Sequence, residues 1–124
     1  MTEKVSFFPE IDWDADKEVI LRHQCAILEA ILKGTRFSVE RNPTAGQENL
    51  NLHVEGNSKR IGQVWLEKRR QQVNLCLANE YIDKARLKME LPTITKIKGV
   101  VNQKEFKYIP FEKAAEIICA AFGD

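Results

Sequence analysis

Apolar positions recur along the chain with two different spacings, and the change from one to the other marks out the elements. From residue 17 to residue 33, Ile20, Gln24, Ile27 and Ile31 form one helical stripe and Leu21, Cys25, Leu28 and Leu32 the next. Together they predict an amphipathic helix with an apolar face wide enough to lie on a sheet. Asp14 or Asp16 is placed to cap its start, Lys33 suits its negative end, and Gly34 suits a left-handed stop.

The period then drops to two. Phe37 and Val39 alternate with polar neighbours. Leu50, Leu52 and Val54 alternate with Asn51, His53 and Glu55. Arg60 to Glu67 places Val64 and Leu66 on one side and Ile61, Gln63 and Trp65 on the other. Gln72 to Leu77 places Val73, Leu75 and Leu77 inward. This is the signature of half-buried antiparallel strands. Asn42 to Gly46 and Gly56 to Ser58 are turn sequences, and Lys68-Arg69-Arg70 ends a hairpin.

Asn79 is placed to cap a short helix from Glu80 to about Lys88, which Pro92 stops. Residues 93–101 give no clean period. Glu105 to Ile109 predicts a last strand, and Pro110 opens a closing helix with Phe111, Ala114, Ala115, Ile118, Ala121 and Phe122 inward. The expected fold class is α+β: an antiparallel meander of about five strands, with N-terminal and C-terminal helices packed on one face. Residues 14–124 form one domain of ordinary size. Residues 1–13 are an irregular aromatic and acidic leader, and Phe7, Phe8, Ile11 and Trp13 pack it onto that domain.

The element order resembles the small α-β-α domains of the MmcQ-like and frataxin-like class. A helix leads, a meander follows, and a last strand runs into a closing helix that ends in an aromatic. Gln72 to Leu77, Phe106 to Ile109 and Ala115 to Phe122 carry the resemblance. It implies topology only, because the tryptophan-rich strand of those domains is missing, and no functional residue is carried over.

Composition narrows the function classes. At 44% hydrophobic and 30% charged residues, the chain has the make-up of a folded globular protein. The acidic first sixteen residues, broken by Pro9, hold no apolar signal stretch, and no apolar run approaches a membrane span. The three cysteines, Cys25, Cys76 and Cys119, are odd in number and widely spaced, each in an apolar or strand-like setting. The expectation is a reduced, cytoplasmic protein with no membrane association, no metal site and no cofactor. No phosphate-binding glycine loop and no nucleophile motif occurs. Charge is uneven. Residues 1–58 carry six Lys/Arg against ten Asp/Glu, a net −4, and residues 59–124 carry thirteen against eight, a net +5.

Few constellations remain. The alternating acids Glu10, Asp12, Asp14 and Asp16 lack the glycine turn of a calcium loop. His23 and Cys25, two apart on a helix, face different ways. His53 points the same way as Asn51 and Glu55, the layout of a carboxylate-oriented base and also of a solvated strand. Lys59 and Arg60 begin one strand, Lys68, Arg69 and Arg70 end it, and Trp65 stands between them beside Gln63. Lys84, Arg86 and Lys88 follow on the short helix. Basic side chains anchor phosphates and an indole stacks on bases, which supports nucleic-acid binding. The same Trp65, with Tyr108, suits a protein interface.

The expectation is a non-catalytic binding module for a protein partner, of the inhibitor or immunity type, or for a second copy of itself. Nucleic-acid binding through the basic hairpin tip comes second, and a small enzyme centred on His53 third.

Overall fold

The computed structural model describes residues 11–57 and 59–123. The leader residues Phe7, Phe8 and Glu10 therefore lie outside the described residues. Ile11 and Trp13 are partly buried against the core.

The first helix, α1 (Lys17–Leu32), buries Ile20, Leu21, Gln24, Cys25, Ile27, Leu28 and Leu32, the two predicted stripes with Ile31 left at their margin. Asp16 holds the N-cap position, but its side chain makes no capping bond. The Asp16 carbonyl accepts the first helical bond from Ile20 N–H, and Asp14 N–H is held by the Asp12 side chain at Oδ1, 3.0 Å away, so the side-chain cap expected from Asp14 or Asp16 does not form. Gly34 has φ +84°, the left-handed stop its position called for.

Four strands follow as an antiparallel meander: β1 (Phe37–Arg41), β2 (Asn49–Val54), β3 (Arg60–Glu67) and β4 (Gln72–Ala78). Alternation decides their faces. Cross-strand partners share a side, so Val39, Leu52, Gly62 and Leu77 line up on one face and Glu40, Asn51, Gln63 and Cys76 on the other. At Gly62 a methyl group would sit 2.6 Å from the Cys76 carbonyl oxygen, so glycine is what allows β3 and β4 their close approach.

The short helix α2 (Asn79–Arg86) begins one residue before the expected Glu80 and ends two residues short of Lys88. Asn79 is its first helical residue rather than its cap. The Asn79 side chain ties the helix to the 97–102 loop instead, donating to the Val101 carbonyl at 3.2 Å and accepting from Lys104 Nζ at 3.1 Å.

Residues 93–101, which gave no clean period, hold a two-residue strand, β5 (Thr95–Lys96), so the sheet has six strands rather than about five. The chain does not continue the meander here. It crosses to the far edge, forms β5, and returns as β6 (Gln103–Ile109) between β5 and β4, giving the order β1-β2-β3-β4-β6-β5. The closing helix α3 (Phe111–Phe122) buries the six residues expected of it and also Ile117.

α1 lies against β1 and β2, and α3 lies against β4, α1 and α2. The core fills the space between the helices and one sheet face. Phe37, Tyr81 and Phe122 form an aromatic knot, with ring centroids 4.5–5.5 Å apart, that joins the edge strand to α2 and α3. Among the described residues, no helix is long and apolar enough to cross a membrane.

Candidate functional site

The opposite sheet face is polar because the alternate positions of every long strand are polar. Ser38 and Glu40 come from β1; Asn49, Asn51 and His53 from β2; Gln63 and Trp65 from β3; Gln72, Asn74 and Cys76 from β4; Gln103 and Glu105 from β6. No described helix packs on this side.

Its inner positions are nonetheless buried, with Asn49 at 0% and His53 at 9% exposure. Most buried amides are bonded, and these form a chain. Thr44 N–H donates to Asn42 Oδ1 (2.9 Å), Asn42 Nδ2 to Asn49 Oδ1 (3.0 Å), and Asn49 Nδ2 to Asn51 Oδ1 (2.9 Å). Arg41 pins the same loop by donating from Nη1 to the carbonyls of Asn42, Gln47 and Asn49, while its Nη2 donates to Glu18 at 2.7 Å.

Trp65 sits half-buried beside this chain as the cross-strand partner of Asn49. Its indole Nε1–H donates to Gln63 Oε1 at 2.9 Å. The ring is thereby fixed and its donor is used.

His53 lies in the same face, but not among the residues that sequence order suggested. Glu55 falls beyond the end of β2 in an exposed turn. The carboxylate beside the imidazole is Glu40 of the neighbouring strand, with Oε1 3.0 Å from His53 Nε2. Neither ring nitrogen makes a directed hydrogen bond. Ser38 is the register partner of His53. No sequence signal linked positions 38, 40 and 53, because register brings them together and spacing does not.

The cysteines divide. Cys25 and Cys76 are buried, while Cys119 is exposed, contrary to the apolar setting expected of all three. Burial pushes the Cys25 thiol up to about 12, helped by the Glu29 carboxylate to which it donates at 3.3 Å. Burial also pushes Cys76 up to about 12, with Glu105 adding to the shift. Both are protonated and unreactive at neutral pH. Among the described residues, no group of three or more His, Cys, Asp or Glu could hold a metal ion.

The basic tip is a 3-10 turn at Lys68–Arg70, turned back by Gln71 at φ 54°. Beside it the β4–β6 register shifts, and Tyr108 adopts φ 52°, rare for a bulky residue. Asn74 Oδ1 accepts the Tyr108 N–H at 2.8 Å, and the Arg70 guanidinium lies 4.1 Å from the Tyr108 ring centroid. Sequence spacing held no hint of this pair.

A shallow groove of about 520 Å³ next to the tip is lined by Lys17, Lys68 and Arg69, but also by Asp14, Glu48 and Glu67, so its charges balance. Lys59 and Arg60 are exposed at the far end of β3. Arg86 of α2 is near Asp83, and Lys88, past the end of that helix, donates to the Gly123 carbonyl.

A second open groove, of about 710 Å³, runs between α1 and the free edge of β1. His53 lines neither groove. No protein-family model, no curated protein and no solved structure matches the chain.

Proposed function

We propose that the protein is a non-catalytic recognition module that binds a protein partner through the sheet face opposite its helices. One observation carries this reading. A polar face whose amides Asn42, Asn49 and Asn51 are bonded in a chain holds a fixed, partly buried indole, and no described helix lies over it. A flat tryptophan set among satisfied amides is the composition of an interface hot spot, where a rigid aromatic contributes area at little entropic cost.

Support for an enzyme is thinner. His53 has a carboxylate neighbour and a serine as register partner, but among the described residues neither of these two grooves is lined by it.

The test is capture of proteins from cell extract on immobilised wild type and on Trp65→Ala and Gln63→Ala variants with unchanged circular dichroism. A protein retained by wild type and lost at least tenfold with Trp65→Ala is the expected result. Equal retention by all three, or none by any, overturns the reading.

The Arg70–Tyr108 stack favours a second reading, nucleic-acid binding at the tip. It requires affinity that falls steeply with salt and collapses in the Lys68→Ala, Arg69→Ala, Arg70→Ala triple variant. The balanced charges of the adjoining groove weigh against it.

A further inference from the structure

The two edges of the sheet differ. The β5 edge is two residues long, ends in the exposed Lys96 and is followed by the exposed Lys98, the usual guard against strand addition. The β1 edge runs five residues with no lysine and no proline.

Its bonding follows from register. Arg36 and Asn42 bond to β2 through Glu55 N–H to the Arg36 carbonyl and Asn42 N–H to the Asn49 carbonyl. The even positions therefore face β2, and Phe37, Val39 and Arg41 direct their backbone groups outward. Of the outward N–H groups, that of Phe37 donates to Thr35 Oγ1 at 3.1 Å, while Arg41 lies beside Cys25 of α1. Val39, between them, has no hydrogen-bond partner for its N–H or its carbonyl among the described residues. Beyond this edge lies the groove of about 710 Å³, where Ala26 and Ala30 of α1 leave room for another strand.

We infer that the free edge of β1 pairs antiparallel with β1 of a second copy, centred on Val39, through the groove beside α1. This rests on the reading of the chain as a protein-recognition module and names one of its partners.

The charge pattern selects the occupant. Pairing about Val39 sets Ser38 opposite Glu40 of the other copy and Phe37 opposite Arg41. Arg36 then lies diagonal to the other copy's Glu40, within reach of a long side chain. Arg36 has no carboxylate partner among the described residues, only the Phe37 ring at 5.2 Å, and the Glu40 side chain is 63% exposed. The order Arg36–Ser38–Glu40 is thus its own complement when reversed. The two-fold axis repeats each contact, and Val39 exchanges both backbone bonds with its counterpart.

Sedimentation equilibrium over a wide dilution series tests this. Wild type is expected to shift from monomer to dimer as concentration rises. Glu40→Arg alone and Arg36→Glu alone set like charges together, and each weakens association about tenfold or more. The double variant, carrying both, restores it to within about threefold. Val39→Pro removes the central donor at an edge position where proline costs no sheet bond, and it gives a folded monomer by circular dichroism.

A wild type that stays monomeric overturns the inference. So does a dimer indifferent to the charge reversals, or one that the double variant fails to restore. Trp65-dependent capture by a monomeric protein would leave the open-face reading standing while this one falls. Loss of both would end both.

Discussion

Gln24 is fully buried on the core face of α1, between Ile20 and Ile27, and neither Oε1 nor Nε2 has a hydrogen-bond partner. An amide removed from water without a replacement bond costs about 1–3 kcal/mol by protein mutational measures. Gln24→Leu removes that cost, keeps a similar volume, and adds apolar contact with the core. It also introduces a residue of equal or better helix propensity. Allowing up to about 1 kcal/mol for imperfect shape, the variant should be more stable by about 1–2 kcal/mol. For 124 residues the unfolding entropy is roughly 260 cal/mol/K, so the melting point should rise by about 4–8 °C. Urea denaturation gives the free energy, and the midpoint should rise at constant slope. A variant destabilised by about 1 kcal/mol or more would mean that the amide is bonded in solution, and the reasoning from its orphaned atoms would fail.

Gly62→Ala should lower stability by about 1–3 kcal/mol, because the new methyl meets the Cys76 backbone oxygen and Leu77 Cδ2 at under 3 Å; a change within about 0.5 kcal/mol in urea would contradict the β3–β4 register. Thiol labelling of the native protein at neutral pH should modify Cys119 rapidly, with Cys25 and Cys76 reacting only on unfolding. Those two folded-state values are raised from 9.0 to about 12, so their contribution to stability is intact below about pH 9 and is lost as pH rises toward 12, as urea midpoints measured across that window should record. Arg41→Ala removes three donations to the carbonyls of Asn42, Gln47 and Asn49, and limited proteolysis should then cut the 42–48 loop at least several-fold faster without a loss of global fold.

Much of the fold was legible because its elements keep their own periods. The α1 stripe and the spans of β2 and β3 appear in the structure essentially as spacing predicted, but β2 is not half-buried: Asn49, Asn51 and His53 are buried as well as Leu50 and Leu52, and Ile61 of β3 is buried too. β5 was illegible because two residues are too few to show a period, and its place outside β6 is set by long-range pairing. The cap roles of Asp16 and Asn79 failed locally: the Asp16 side chain makes no capping bond, and the Asn79 side chain is taken up by the Val101 carbonyl and the Lys104 ammonium.

At the candidate site, the pairing of Trp65 with Gln63 on one face could be read from their separation by two. The approach of Glu40 to His53, the link of Asn42 to Asn49 and the Arg70–Tyr108 stack could not, since each joins residues of different strands or loops. The free edge of β1 is invisible in the same way, because a sequence gives strands but not which of them lies outermost.

Side-chain footprinting of the protein alone and in complex with whatever it captures addresses the central claim most directly. The open-face account predicts protection of Trp65 and its neighbours in the complex, with the exposed side of α3 unchanged. Full labelling of Trp65 in the complex, with protection confined to the helices or to the Lys68–Arg70 turn, would contradict it.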